Sequence, residues 1–218
     1  MERRKSAKEK KLLKPWEQAT LGPAFYIQTY TGVRMSPFKP QKSDFRISDI
    51  AHALSQMVRA NGHFSIFYSV AQHCLNCCYE GEARGYSKRI QLGLLLHDAT
   101  EAYISDVTRP VKAGFPDYRQ MEERLNEVIF EAFGLYKFAK EEKKIIREVD
   151  DDMMYCEFAH LHISGGLGKD YSLRQKPDLT FRPMTDVEAE YIDRFQRLIN
   201  MKETPEETGE AVAKESEE

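Results

Sequence analysis

Three consecutive leucines at positions 94–96 run directly into His97 and Asp98, with Glu101 three residues further on. The leucines belong to residues 87–104, which are apolar on most sides at helical spacing and so predict a central, buried helix. Charged groups beside such a helix cost free energy unless they are paired or bind a metal ion. A helix whose polar face simply begins here explains the same residues, so this segment alone leaves both interpretations open.

Apolar residues recur at helical spacing along most of the chain and predict an all-α fold. The expected helices are residues 50–58 with Ser48 as N-cap, 69–79, 87–104, 117–133 before Gly134, 140–161 and 186–199. Residues 105–116 contain two prolines and one glycine and predict a loop. Residues 26–35 alternate enough to predict a small hairpin that turns at Thr31 and Gly32. Strands and helices do not alternate as they would around a parallel sheet.

The two ends of the chain differ in charge from the part between them. Residues 1–15 are basic and residues 202–218 are acidic, so both are expected to be flexible flanks of one domain over residues 16–201. A net charge of −3 gives no general attraction to nucleic acid. Contact of the basic arm with DNA or RNA is the less favoured alternative, which salt-dependent binding would reveal.

No apolar run approaches the roughly 20 residues of a membrane span, and the N-terminus lacks the apolar stretch of a secretory signal. We therefore expect a cytoplasmic protein without a membrane partner. Cys74 and Cys77 have the CxxC spacing of a redox or zinc motif, but no second cysteine pair or nearby histidine pair completes a zinc site. Buried, reduced thiols are the favoured interpretation.

Two further segments place possible metal ligands on other helices. His73 lies on an otherwise apolar helix, and Asp150 begins a run of three aspartates beside an apolar stripe. Each is weak evidence alone, because a lone histidine is commonly a core residue and an acidic run commonly faces solvent. Taken with His97 and Asp98, however, they supply two imidazoles and two carboxylates, a set that suits Mn²⁺, Fe²⁺, Co²⁺ or Zn²⁺.

The sequence resembles the HD superfamily of metal-dependent phosphohydrolases, and within it the small bacterial and phage branch of 5′-deoxynucleotidases and deoxynucleoside triphosphohydrolases. The resemblance covers about residues 26–161. It is carried by the motifs DIAHALS at residues 49–55, GH at 62–63, YSVAQH at 68–73, HDATEAYISD at 97–106 and PVK at 110–112. It implies an HD-domain helical bundle and a homodimer.

The resemblance also implies roles for single residues. The ligands of one divalent ion (Mn²⁺, Co²⁺, Fe²⁺ or Zn²⁺, with Mg²⁺ also admitted) would be His73, His97, Asp98 and Asp150. Asp150 is preferred to Asp151 and Asp152 because Glu157 then follows seven residues later, as in the family's helix. No histidine lies between Asp98 and Asp150, which disfavours the two-metal sites of related phosphodiesterases.

Catalytic and substrate-binding roles follow from the same resemblance. Glu101 would position or activate the attacking water or act as a general acid, and Asp106 would work with it near the scissile phosphate or ribose. Arg59 corresponds to a phosphate-binding arginine, and Lys112 would add positive charge. His63 would have either a role near the pocket or a structural one.

These residues predict a nucleotide phosphohydrolase. The expected reaction releases phosphate from deoxynucleoside 5′-monophosphates, and release of triphosphate from deoxynucleoside triphosphates is the alternative, with Arg59, Arg109 and Lys112 as its cationic partners. A non-catalytic HD domain that senses nucleotides is the alternative of another class. The complete set of ligands together with Glu101 favours an enzyme.

Overall fold

The computed structural model describes residues 25–200, which form a mostly helical fold with one small hairpin. Its elements are β1 (Ile27–Gln28), β2 (Arg34–Met35), α1 (Ile47–Gln56), α2 (Val70–Ala83), α3 (Lys88–Leu96), α4 (Glu101–Ile104), α5 (Arg109–Ala113), α6 (Pro116–Ala132), α7 (Lys140–Leu161) and α8 (Met184–Asn200), with short 3-10 helices at Lys42–Asp44 and Arg59–Gly62. The predicted all-α class with a small hairpin is confirmed.

The predicted arm (1–15) and tail (202–218) lie outside the described residues. None of the helices within residues 25–200 combines the length and the apolar character needed to cross a membrane.

The hairpin packs against α1 through its turn. β1 and β2 pair antiparallel with Ile27 opposite Met35, and Gly32 takes a φ of +87°, which suits glycine in the turn. The backbone N–H and the hydroxyl of Thr31 both donate to the carboxylate of Asp49 on α1, at 2.6 and 2.9 Å. The buried Asp49 therefore anchors the hairpin to the helical body.

Helices α2 and α3 form the centre of the core. Two glycines let their neighbours approach closely: a Cβ on Gly93 of α3 would lie 2.7 Å from Phe138 and 2.8 Å from Ile146, and one on Gly81 of α2 would lie 2.5 Å from Leu94. A larger residue at either position would require the neighbouring side chains to shift. Close packing of α2, α3 and α7 brings together the segments that carry the predicted metal ligands.

The predicted single helix over residues 87–104 is interrupted. Helix α3 ends at Leu96, residues 97–100 form turns, and α4 starts at Glu101. The Nδ1 of His97 lies 2.7 Å from the carbonyl oxygen of Leu94, and the following N–H groups bond to carbonyls three residues back, as Ala99 does to Leu96. This side-chain bond to the backbone competes with the regular helical ladder and tightens the chain at the functional residues.

Two other local predictions were wrong. Residues 105–116 are not entirely loop, because α5 occupies Arg109–Ala113 with Pro110 in its first turn, where proline's missing N–H costs nothing. Ser48 is not the N-cap of α1, since the helix begins at Ile47 after Arg46 and Ser48 lies within it.

Candidate metal centre

Four predicted ligands from three helices converge on one point. His73 projects from α2, His97 and Asp98 follow the end of α3, and Asp150 lies on α7. The Nε2 atoms of His73 and His97 are 3.2 Å apart. Oδ1 of Asp150 lies 3.2 Å from Nε2 of His73 and 3.7 Å from Nε2 of His97, and Oδ2 of Asp98 lies 3.8 and 3.3 Å from the same two atoms.

Each imidazole is oriented by a hydrogen bond through its other nitrogen. Nδ1 of His73 donates to Oε1 of Glu157 at 2.6 Å, and Nδ1 of His97 donates to the carbonyl of Leu94 at 2.7 Å. Because a carboxylate and a carbonyl only accept, Nδ1 of each ring carries a proton, and Nε2 is the nitrogen that a cation would bind once its own proton is lost. The two rings therefore present their Nε2 atoms to the same point.

The donor set fits a single divalent ion. Nitrogen and oxygen ligands bind such ions at about 2.0–2.2 Å, which separates neighbouring ligand atoms by roughly 3 to 3.6 Å. Among the histidine nitrogens and aspartate oxygens, the separations of 3.2, 3.2 and 3.3 Å lie within that range, and those of 3.7 and 3.8 Å lie slightly above it. The charge of two carboxylates also suits a divalent cation better than a lone histidine pair would.

Two buried thiols flank the same histidines. Grouped by distance, His73, Cys77 and His97, and likewise Cys74, His97 and Asp98, are sets that could hold a metal ion. Sγ of Cys77 lies 3.6 Å from Nε2 of His73. Burial raises the pKa of the Cys74 thiol. The four cysteines are all free and buried, as the sequence predicted.

Arg59 lies among the acids of the cluster instead of reaching into solvent. Its Nε donates to Oε2 of Glu157 at 2.8 Å, and its terminal nitrogens lie 3.4 Å from Asp98 and 3.7 Å from Asp150. Only 12% of its side chain is exposed. Although burial raises the pKa of Glu157, the positive charges of His73 and Arg59 lower it overall, so this carboxylate remains ionised. The positive charge of Arg59 thus partly compensates the negative charges of Asp98, Asp150 and Glu157.

Glu157 is a residue of the cluster whose contacts were not predicted from the sequence. Its side chain is fully buried and accepts hydrogen bonds from Arg59, His73 and the hydroxyl of Tyr68, the last at 2.9 Å. In the sequence, the position of Glu157 served only to distinguish Asp150 from Asp151 and Asp152. The signal was its place seven residues after Asp150, two helical turns along the same face.

The three consecutive aspartates have different surroundings. Asp150 faces the histidines and shares Arg109 with Asp151, whereas Asp152 pairs with Arg84 at 2.8 Å. Of the three, Asp150 is therefore the one that the structure brings to the histidines.

Glu101 lies beside the cluster with one oxygen unsatisfied. Its side chain is 4% exposed, Oε1 is 3.6 Å from Nζ of Lys112, and within residues 25–200 no hydrogen bond reaches Oε2. Burial and the negative charges of Asp98 and Asp106 raise the pKa of Glu101 well above its usual range. Asp106 is half-buried and follows Ser105, whose φ of +71° is strained for a residue with a side chain.

Lys112 lies near Glu101 but binds another acid more closely. Its Nζ is 2.5 Å from Glu122 on α6. His63 is exposed and follows three residues, 60–62, with left-handed backbone angles. It shares no hydrogen bond or ion pair with the cluster among the contacts of the described residues. Of the predicted substrate-binding residues, Arg59 and Lys112 therefore lie close to the site.

No family model matches the chain. It is similar to YfdR of Escherichia coli strain K12, described as an uncharacterized protein, with 42% identity over 110 residues that cover 50% of this chain and 59% of YfdR. It is also similar to an uncharacterized protein of Rhodobacter capsulatus, with 38% identity over 111 residues, 48% of this chain and 56% of that protein. The matches thus span less than two thirds of either relative, and neither relative's description includes an activity.

Proposed function

We propose that this chain is a metal-dependent phosphohydrolase of nucleotides, acting on deoxynucleoside 5′-monophosphates. The observation that supports it best is the convergence of His73, His97, Asp98 and Asp150 beside Glu101, a buried acid with a free oxygen. One divalent ion held by the four donors would polarise a phosphoryl oxygen and lower the pKa of water. Mn²⁺, Co²⁺, Fe²⁺ and Zn²⁺ all suit two imidazoles and two carboxylates.

The chain's own residues then have separate tasks. Glu157 and the Leu94 carbonyl hold the imidazoles in the orientation that exposes Nε2. Glu101, whose pKa is raised by burial and by the neighbouring acids Asp98 and Asp106, is placed to donate a proton to the leaving oxygen. Asp106 lies near Glu101 and helps to hold its proton. Phosphate cleavage depends mainly on positioning and charge stabilisation, so this division of labour needs no covalent intermediate.

Release of triphosphate from deoxynucleoside triphosphates is the second candidate. It is favoured by Arg109 and Lys112, two cations on α5 next to the site acids Asp150 and Glu101. A longer phosphate chain carries more negative charge and needs more positive partners.

The deciding experiment begins with the full chain stripped by chelator. It is then assayed with Mn²⁺, Co²⁺, Zn²⁺ and Mg²⁺ against nucleoside mono- and triphosphates, with chromatographic identification of products. We expect metal-dependent release of inorganic phosphate that is lost in Asp98→Ala. Triphosphate as the product would select the second candidate. A wild-type protein that binds metal but turns over no nucleotide would refute both.

A further inference from the structure

The two arginines next to the candidate metal centre contact different oxygens of Asp150 and differ in exposure. The Arg59 side chain is 12% exposed and shares the acids Asp98, Asp150 and Glu157. The Arg109 side chain is 53% exposed, and its ion pairs within residues 25–200 are with the neighbouring aspartates Asp150 and Asp151. The guanidinium of Arg109 is therefore more open to solvent than that of Arg59.

The two arginines share the carboxylate of Asp150. Its Oδ1 lies 3.2 Å from Nε2 of His73 and 3.7 Å from Arg59. Its Oδ2 accepts a hydrogen bond of 2.6 Å from Nη2 of Arg109. One oxygen thus faces the imidazoles, while the other fixes a guanidinium on the outer side of the same carboxylate.

The element that carries Arg109 is a short helix that follows an irregular segment of the backbone. Helix α5 has only five residues, Arg109–Ala113, and follows the strained Ser105, whose φ is +71° and ψ is 156°. It ends at Gly114, and the same short helix carries Lys112 beside Glu101. By contrast, Arg59 is fixed by the 2.8 Å bond to a fully buried glutamate.

We propose that Arg109 is the arginine that contacts the phosphate group of the substrate, and that Arg59 is a positioning residue for the ligands. This rests on the proposed function. A divalent cation at the cluster takes up the negative charge of Asp150, which weakens the attraction that holds Arg109 there. The planar guanidinium can then bind two oxygens of a phosphate held at the same cation. The resemblance had assigned this role to Arg59.

Binding of inorganic phosphate to the metal-loaded full chain tests this without turnover. Isothermal titration calorimetry would give the phosphate Kd at saturating Mn²⁺, and a separate titration would give the Mn²⁺ Kd. For Arg109→Gln we expect phosphate binding weakened roughly ten-fold or more, because charge-assisted hydrogen bonds are lost, with Mn²⁺ affinity unchanged or tighter. The phosphate Kd of Arg109→Lys should lie between those of wild type and Arg109→Gln, because lysine keeps the positive charge but lacks the planar guanidinium with its paired donors.

Two matched variants guard against a general charge effect. Lys144→Gln removes one positive charge from an exposed part of α7 and should leave both constants unchanged. Arg59→Lys should weaken Mn²⁺ binding but not phosphate binding at saturating metal. The proposal is overturned if Arg109→Gln binds phosphate like wild type, if its loss merely follows a loss of Mn²⁺ affinity, or if metal-loaded wild type binds no phosphate. Phosphate binding without nucleotide turnover would refute the proposed function and leave the role of Arg109 standing.

Discussion

The buried and solvent-facing sides of the metal centre hold their charges in different ways. On the buried side, both oxygens of Glu157 are occupied: Tyr68 and His73 donate to Oε1, and Arg59 donates to Oε2. On the side toward solvent, Arg109 is about half exposed, and beside it the buried Glu101 has an Oε2 without a hydrogen bond among the described residues. The first arrangement is complete before any ligand arrives, whereas the second offers unused donors and acceptors.

Under the proposed function, this difference separates metal binding from substrate chemistry. A ligand whose orientation is fixed by buried hydrogen bonds loses little further freedom when the ion binds. An acid with an unsatisfied buried oxygen, in contrast, raises the free energy of the empty site and gains a partner when substrate enters. Substitutions on the buried side should therefore change metal affinity, and those on the outer side should change turnover.

The largest expected effect is that of Glu101→Gln on turnover. It removes the proton donor while keeping shape, so kcat should fall by about 100- to 10,000-fold with unchanged metal affinity. Because burial and the charges of Asp98 and Asp106 raise the pKa of Glu101, wild-type kcat should fall as pH rises through that raised value. A pH–rate profile would show this limb in wild type and not in the variant.

Glu122→Gln is the matched control, since Glu122 also binds Lys112 but lies on α6. It should change kcat only slightly. An equal loss in both variants would show that Lys112, and not the proton of Glu101, accounts for the effect. A loss of metal affinity in Glu101→Gln would remove the proposed separation of the two sides.

Removing the metal should leave a folded protein. Arg59 and Arg109 already compensate the acids of the cluster, so we expect cooperative unfolding of the stripped chain. Metal at about 100 times its Kd should add about 2.7 kcal/mol, which raises Tm by roughly 5 to 10 °C. Differential scanning calorimetry with and without chelator measures this. Loss of the folded state on chelation would mean that the buried side is not formed in advance.

The same measurement has a defined dependence on pH. Burial lowers the pKa of His73 and His97, but contacts with the surrounding acids raise both overall, so each imidazole stays protonated to a higher pH than a free histidine. Because a metal requires the neutral ring, the metal-induced rise in Tm should shrink as pH falls from about 8 to about 6. A rise in Tm that is equal at both pH values would argue against the two histidines as ligands.

Glu157→Gln tests the buried side directly. Loss of the carboxylate that orients His73 should weaken metal binding by about 10- to 100-fold. Glu80→Gln is a close control, because Glu80 is also fully buried and accepts from Arg84 and from the backbone of Arg174, away from the cluster. Both variants should lower the free energy of unfolding, but only Glu157→Gln should raise the metal Kd. Equal metal affinities would assign Glu157 a purely structural role.

Periodicity predicted the long elements of the fold well, but not the break at the site. The expected helix over 140–161 agrees with α7 (Lys140–Leu161), because apolar residues recur along its whole length. The interruption after Leu96 coincides with a hydrogen bond from the His97 ring to the Leu94 carbonyl. No periodic pattern encodes that bond, since histidine at the same position can as well continue a helix.

Some features of the candidate site were likewise predictable from helical geometry, and others were not. The spacing between Asp150 and Glu157 was sufficient to choose one acid of three, because helical geometry fixes which residues share a face. The direction of Arg59 was not predictable in this way. It precedes Ala60 and Asn61, whose φ values of 53° and 51° are unusual for residues with side chains. Its salt bridge to Glu157 is a contact between residues 98 positions apart.

The smallest expected effect concerns an ion pair that joins the ligand-bearing helices away from the cluster. Glu142 of α7 binds Arg89 of α3 at 2.8 Å and accepts from the backbone N–H of Ala139 at 2.7 Å. Although partial burial raises the pKa of Glu142, these contacts lower it overall, so its stabilisation is present above the unfolded-state pKa and is lost as pH falls through the folded value. Since both side chains are about one quarter exposed, Glu142→Gln should cost only about 1 kcal/mol near neutral pH. Urea unfolding at neutral and acidic pH should show this difference disappearing in acid, while the metal Kd stays that of wild type. A changed metal Kd would mean that α3 and α7 transmit strain to the cluster, and that the buried contacts around Glu157 do not fix its geometry on their own.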